Sequence, residues 1–241
     1  MGSNSSRPSS GGRTRIHRRK SAPPANRTES ALEMLRSFQT ILVVDDSRSM
    51  RGELWQQALQ ELAAVASDYA TDGLEIHFLN SSLCAKRVTT AEQVEAIFNS
   101  VTPTNSTPLG RKLHALLGEY IAELGRNPAL KRVNYIVITD GTPTDRAELE
   151  PEIVIVNPAR QLDAMNALLT QVGIQFVQVG TNVGATRYLE SLDDHLRTRY
   201  DIRDMVDTTF APADKPLDMI KTLTGGINRR VDDYGSRGLV P

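Results

Sequence analysis

Ile41-Leu42-Val43-Val44-Asp45-Asp46-Ser47-Arg48-Ser49-Met50 is the stretch on which the fold turns. Four apolar residues, three of them β-branched, read as a strand buried on both faces, as in the interior of a parallel sheet. The run then breaks into acids and hydroxyls, and a helical pattern starts at Met50. Open α/β sheets hold their ligands outside the carboxyl ends of central strands. The sequence therefore places hard oxygen donors where such a sheet keeps its site.

The same grammar returns downstream. Asn134-Tyr135-Ile136-Val137-Ile138-Thr139-Asp140-Gly141 is a second buried run ending in an acid and a tight turn. Further strands are expected at 75–79, at 174–180 and, short and charged as edges tend to be, at Lys86-Arg87-Val88. Helical spacing runs through Leu54, Leu62 and Tyr69, through Leu113 to Leu124 with Gly125 as the stop, from Glu152 to Gln171, and from Pro216 to Ile227. Thr90 with Gln93 reads as the cap of a short helix. Strand and helix alternate throughout, which predicts a parallel sheet with helices on both faces.

Composition sets the bounds. The chain has 241 residues, 39% hydrophobic and 24% charged, enough to bury one sizeable core. No apolar run approaches the ~20 residues of a membrane helix. The single Cys84 leaves no internal disulfide and fits a reducing compartment, cytoplasmic or nuclear; beside Leu83 it reads as a buried structural thiol. Residues 1–36 carry eight of the 28 basic residues and two of the 29 acidic ones, so a basic tail precedes an acidic remainder. Residues 1–30, rich in Ser, Gly, Pro and Arg, have almost nothing to bury and are expected to be disordered. Arg18 three before Ser21 and Pro23 two after it resemble a 14-3-3 docking site, with Ser21 as the phosphosite. The acidic, aromatic-poor domain argues against nucleic acid as a partner.

Three loops supply a set of oxygen donors: Asp45, Ser47 and Ser49 from the first, Thr107 from the hydroxyl-rich stretch 102–110, and Asp140 from the third. Two carboxylates with three hydroxyls suit a small hard cation, Mg²⁺ or Mn²⁺, in octahedral geometry. In an extended turn alternate residues point the same way, so Asp45, Ser47 and Ser49 can face one point. They are expected on a surface loop. His77 reads as an alternation residue of its strand rather than a ligand.

These residues resemble a von Willebrand factor A domain, in which Asp45-x-Ser47-x-Ser49, Thr107 and Asp140-Gly141 correspond one by one to the metal-ion-dependent adhesion site. Asp45-Asp46-Ser47, Ile138-Thr139-Asp140-Gly141, Gln171-Val172-Gly173-Ile174-Gln175-Phe176 and Arg203-Asp204-Met205-Val206-Asp207-Thr208 are similar to the intracellular fungal branch of that family. The resemblance implies a Rossmann-like three-layer α/β/α domain over residues 38–230, with six strands, mostly parallel, and one antiparallel edge strand. Residues 1–37 then form the basic tail and lead-in, and 231–241 a frayed end. It also implies a non-catalytic interaction domain whose cation is completed by an Asp or Glu of a partner protein. Arg48 stands where the family usually has Gly; it is either a solvent-facing residue whose backbone strains the loop or a second cationic handle for the partner's acid.

Rival readings stay in view. A response-regulator receiver also opens with paired acids after a first strand. It needs an acceptor aspartate some 45 residues on, and Gly73 to Gly110 contains none. A metal-dependent hydrolase would need a base beside the cation, with His114 and His195 the available histidines. A degenerate, metal-free scaffold is the third.

Overall fold

The computed structural model describes residues 31–50, 61–66, 68–211 and 217–228. A helical turn at 31–33 and the 3₁₀ turn Met34–Ser37 lead into β1, Phe38–Val44. The other strands are β2 (Leu74–Phe78), β3 (Cys84–Val88), β4 (Arg132–Thr139), β5 (Val172–Val179) and β6 (Val206–Ala211). They form one sheet in the order β3-β2-β1-β4-β5-β6. All pairs are parallel except β2 with β3, which makes β3 an antiparallel edge. The helices are α1 (Ala91–Asn99), α2 (Leu109–Arg126), α3 (Pro151–Ala164), α4 (Val183–Tyr200) and α5 (Met219–Thr224), besides helical residues at 61–66.

Two cores flank the sheet. Ile41, Val43, Tyr135, Val137 and Phe176 point to one face, under Leu113, Leu117, Ile155 and Leu189 of α2, α3 and α4. Leu42, Val44, Ile76, Ile136 and Val177 point to the other, against Leu62, Ala66, Val94 and Leu223. Burial on both faces is why β1 and β4 read as unbroken apolar runs. Leu32 and Leu35, from the lead-in, belong to the second core. The chain winds from β1 toward β2 in one direction and from β4 toward β6 in the other, so the strand order reverses between β1 and β4. That is a topological switch point, where two crossovers diverge and leave a crevice at the carboxyl ends. A receiver sheet has the order 2-1-3-4-5, and the observed order excludes it.

Two expectations need correction. The helix read from 152 to 171 ends at Ala164. Leu168 and Leu169, which extended the pattern, are 60% and 57% exposed in a turn that passes through left-handed Asn166. The Arg203 guanidinium closes that turn, donating to the carbonyls of Leu168 (2.7 Å) and Ala167 (3.1 Å) and to Asp163 (2.8 Å). The edge strand expected at Lys86-Arg87-Val88 is longer, running from Cys84 to Val88. Residues 51–60 and 67 of the helix read through Leu54 and Tyr69, the tail 1–30 with Ser21 and the end 231–241 lie outside the described residues.

Candidate functional site

At the switch point Asp45 continues the β1–β4 ladder one residue beyond the strand, its N–H donating to the Ile138 carbonyl at 2.9 Å. Its side chain is wholly buried. One carboxylate oxygen accepts the Ser47 N–H (2.9 Å) and the other the Thr139 hydroxyl (2.7 Å). The Ser47 and Ser49 hydroxyls stand 3.0 Å apart, and Ser49 donates onward to Asp140 Oδ1 at 2.9 Å. Asp45, Ser47, Ser49 and Asp140 thus form one hydrogen-bonded chain across the crevice. Ser49 and Arg48 are exposed and Asp140 half-buried, so the chain opens outward at Asp140.

Thr107 is brought in by a clamp between loops. Its N–H donates to the Thr144 hydroxyl at 3.0 Å and its carbonyl accepts the Thr144 N–H at 3.0 Å. This sets the Thr107 hydroxyl against the Asp140-Gly141 turn: a Cβ at Gly141 would lie 3.5 Å from Thr107 Oγ1. The turn after β1 is pinned to the same loop, through Arg48 N–H to the Thr104 carbonyl (2.8 Å) and Thr104 N–H to the Asp46 carbonyl (3.0 Å). All five oxygen residues read from the sequence therefore meet at one crevice.

Several residues that hold them there escaped the sequence reading. Asp46 faces away and gathers the Asn80 N–H, the Asn80 amide and the Ser81 N–H at 2.8–2.9 Å. Asn80 in turn exchanges two bonds with Ser106, next to Thr107. Helix α2 begins at Leu109 with Pro108 as its cap residue and no local side-chain cap. Asp145 supplies one from the far loop, accepting the N–H groups of Gly110 (2.8 Å) and Arg111 (2.9 Å). A carboxylate there also suits the positive end of the helix dipole. No spacing in the sequence signals these bonds, because each spans 26 to 37 positions.

Burial pushes the Asp45 carboxyl above its ordinary value; the bonds from Thr139 and Ser47 pull back, and nearby Asp140 pushes the same way as burial. Burial likewise raises Asp140, against the bond from Ser49. Two acids disfavoured as anions, close enough to repel, are what a cation between them would stabilise.

Three corrections belong here. Asp45 was expected on a surface loop, yet it is wholly buried and structural in its bonding. Arg48 was expected to strain the loop if left-handed. It sits instead in a right-handed 3₁₀ turn, Arg48–Met50, and is absent from the positive-φ residues among those described. Cys84, expected to be buried, is exposed on the edge strand. His114 and His195 are exposed.

No protein-family model matches this chain, and no curated protein sequence matches it. Among solved structures it is similar to the crystal structure of the SpRpn10 VWA domain, at 10% identity, covering 78% of this chain and 94% of that one, with a TM-score of 0.44.

Proposed function

We propose that this is a non-catalytic interaction domain, of the von Willebrand factor A type that its motifs resemble. It holds Mg²⁺ or Mn²⁺ through Asp45, Ser47, Ser49, Thr107 and Asp140. An Asp or Glu of a partner protein completes the shell from outside. The observation that carries this reading is the hydrogen-bonded chain from Asp45 through Ser47 and Ser49 to Asp140 at the switch point. Its donors are all oxygen, which favours a hard cation over zinc or copper. The exposed Arg48 lies at the rim and suits an acidic ligand by charge pairing. An intracellular setting, cytoplasmic or nuclear, is part of the reading and rests on the lone cysteine. No helix among the described residues is long and apolar enough to cross a membrane.

The test is calorimetric titration of Mg²⁺ and Mn²⁺ into the chelator-stripped chain, beside Asp45→Asn. Asparagine keeps the acceptor for Ser47 and can donate to Thr139, so it removes charge without emptying the crevice. One equivalent bound by the wild type and none by the variant supports the site. Equal binding by both sinks it. A poly-glutamate column run with Mg²⁺ and then with chelator reads out the acidic-ligand half.

A further inference from the structure

On the sheet face that carries Ile41 and Val43, the pattern turns polar at β2. Glu75 and His77, two residues apart, share that face, and Cys84 is the direct antiparallel partner of His77. Glu75 is buried and His77 part-buried on this face, while Cys84 is exposed at the edge, within electrostatic reach of Lys112 on α2. Their ligand atoms all lie within 4.8 Å of one another. Glu75 Oε1 is 2.7 Å from His77 Nε2, while Cys84 Sγ is 3.6 Å from that nitrogen and 3.7 Å from that oxygen.

We infer that Glu75, His77 and Cys84 form a second cation site, selective for zinc, that staples edge strand β3 to β2 and keeps one coordination position open. A thiolate, an imidazole and a carboxylate are a soft-to-borderline set, unlike the all-oxygen crevice. Around a tetrahedral zinc, with bonds of about 2.0–2.3 Å, ligand atoms stand about 3.3–3.6 Å apart. The two sulfur distances are already close to that, and only the Glu75–His77 pair has to open, by roughly 0.6 Å.

The surroundings are those of a held ligand set. The Gln39 amide donates to the other Glu75 oxygen at 2.8 Å, which aims Oε1 at the cluster. Burial opposes ionisation of Glu75, but His77 and Lys86 hold its carboxyl below the ordinary value. Zinc at Nε2 requires the neutral ring with its proton on Nδ1, so the metal replaces the Glu75–His77 hydrogen bond. Burial and the Glu75 carboxylate raise the Cys84 thiol above its ordinary value, so zinc has to displace its proton to solvent. The competitor is Lys86, whose ammonium lies 3.3 Å from Glu75 Oε1; its side chain is 69% exposed and free to swing outward.

This site is independent of the oxygen crevice, and one experiment separates the two. Co²⁺, a spectroscopic stand-in for zinc, is titrated into the reduced, chelator-stripped full chain in the presence of saturating Mg²⁺. The expected result is a thiolate-to-cobalt charge-transfer band with intense tetrahedral visible bands, saturating at one equivalent and displaced by Zn²⁺. Cys84→Ser loses the charge-transfer band, Gln39→Leu weakens binding about tenfold by freeing Glu75, and Asp45→Asn keeps the full spectrum. Absence of the band in the wild type overturns the inference. So does a spectrum lost in Asp45→Asn but retained in Cys84→Ser, because the cobalt would then sit in the crevice.

Discussion

The Thr139 hydroxyl donates to Asp45 Oδ2 at 2.7 Å, joining the last residue of β4 to the first residue past β1. Both residues are fully buried. A carboxylate buried at a strand end depends on such a donor, since water cannot replace it. Thr139→Val keeps the shape and removes the hydroxyl. It is expected to cost about 1–3 kcal/mol in denaturant unfolding, the range for leaving a buried acceptor unsatisfied.

The raised carboxyls at Asp45 and Asp140 give the chelator-stripped protein a definite pH dependence. A group whose folded pKa lies above its unfolded one favours folding below the unfolded value and loses that contribution as pH rises through the folded value. The contribution of these two groups to the thermal midpoint of the stripped protein should therefore fall as pH rises from about 4, the ordinary carboxylate value, opposite in sense to that of the lowered Asp72, Glu75 and Glu92. Saturating Mg²⁺ should flatten or reverse the trend, because the cation binds the ionised pair in the folded state. Asp45→Asn should flatten it without metal. A wild-type midpoint that rises with pH in chelator relative to that of Asp45→Asn would contradict this account.

Arg48 occupies a right-handed turn, so its Cβ carries no left-handed penalty. Arg48→Gly should leave Mg²⁺ affinity within about twofold and lower stability by roughly 0.5–1 kcal/mol through added chain entropy. Arg48→Glu should keep the cation and weaken retention on poly-glutamate. A large gain in metal affinity for the glycine variant would show that the arginine distorts the loop after all.

Asp145 caps α2 from 35 positions away. Asp145→Ala should destabilise by about 1 kcal/mol, as for loss of a helix cap. It should also weaken Mg²⁺ binding, because Thr144 beside it clamps Thr107. Unfolding and titration on the same sample check both halves, and Asp145→Asn should rescue most of the cap.

The sheet and the five oxygen residues were legible because each is local. A buried apolar run ending in Asp45 or Asp140 announces a strand and its exit within ten residues. What could not be read is whatever depends on pairing across the sheet. Thr139 looked like one more strand residue until the β1–β4 register set it beside Asp45. Asn80, Ser106 and Asp145 are ordinary loop residues in sequence, and only the folded loops give them partners. Cys84 belongs with these: its apolar neighbour suggests burial, but β3 lies at the edge of the sheet and the thiol is exposed. The helix overrun at 165–171 came from Leu168 and Leu169, whose helical spacing has no core to meet.

Edge strand β3 carries its own consequence. Its pairing with β2 shifts register between Leu74 and Ile76, and within it Arg87 takes a left-handed backbone at φ 57°. Gly73 opposite is required there, since a Cβ would come within 2.8 Å of the Arg87 backbone. A kinked ribbon with Lys86 and Arg87 on its rim offers a poor template for another strand. This margin thus disfavours lateral growth into multi-chain sheets and the docking of an extended peptide by strand addition.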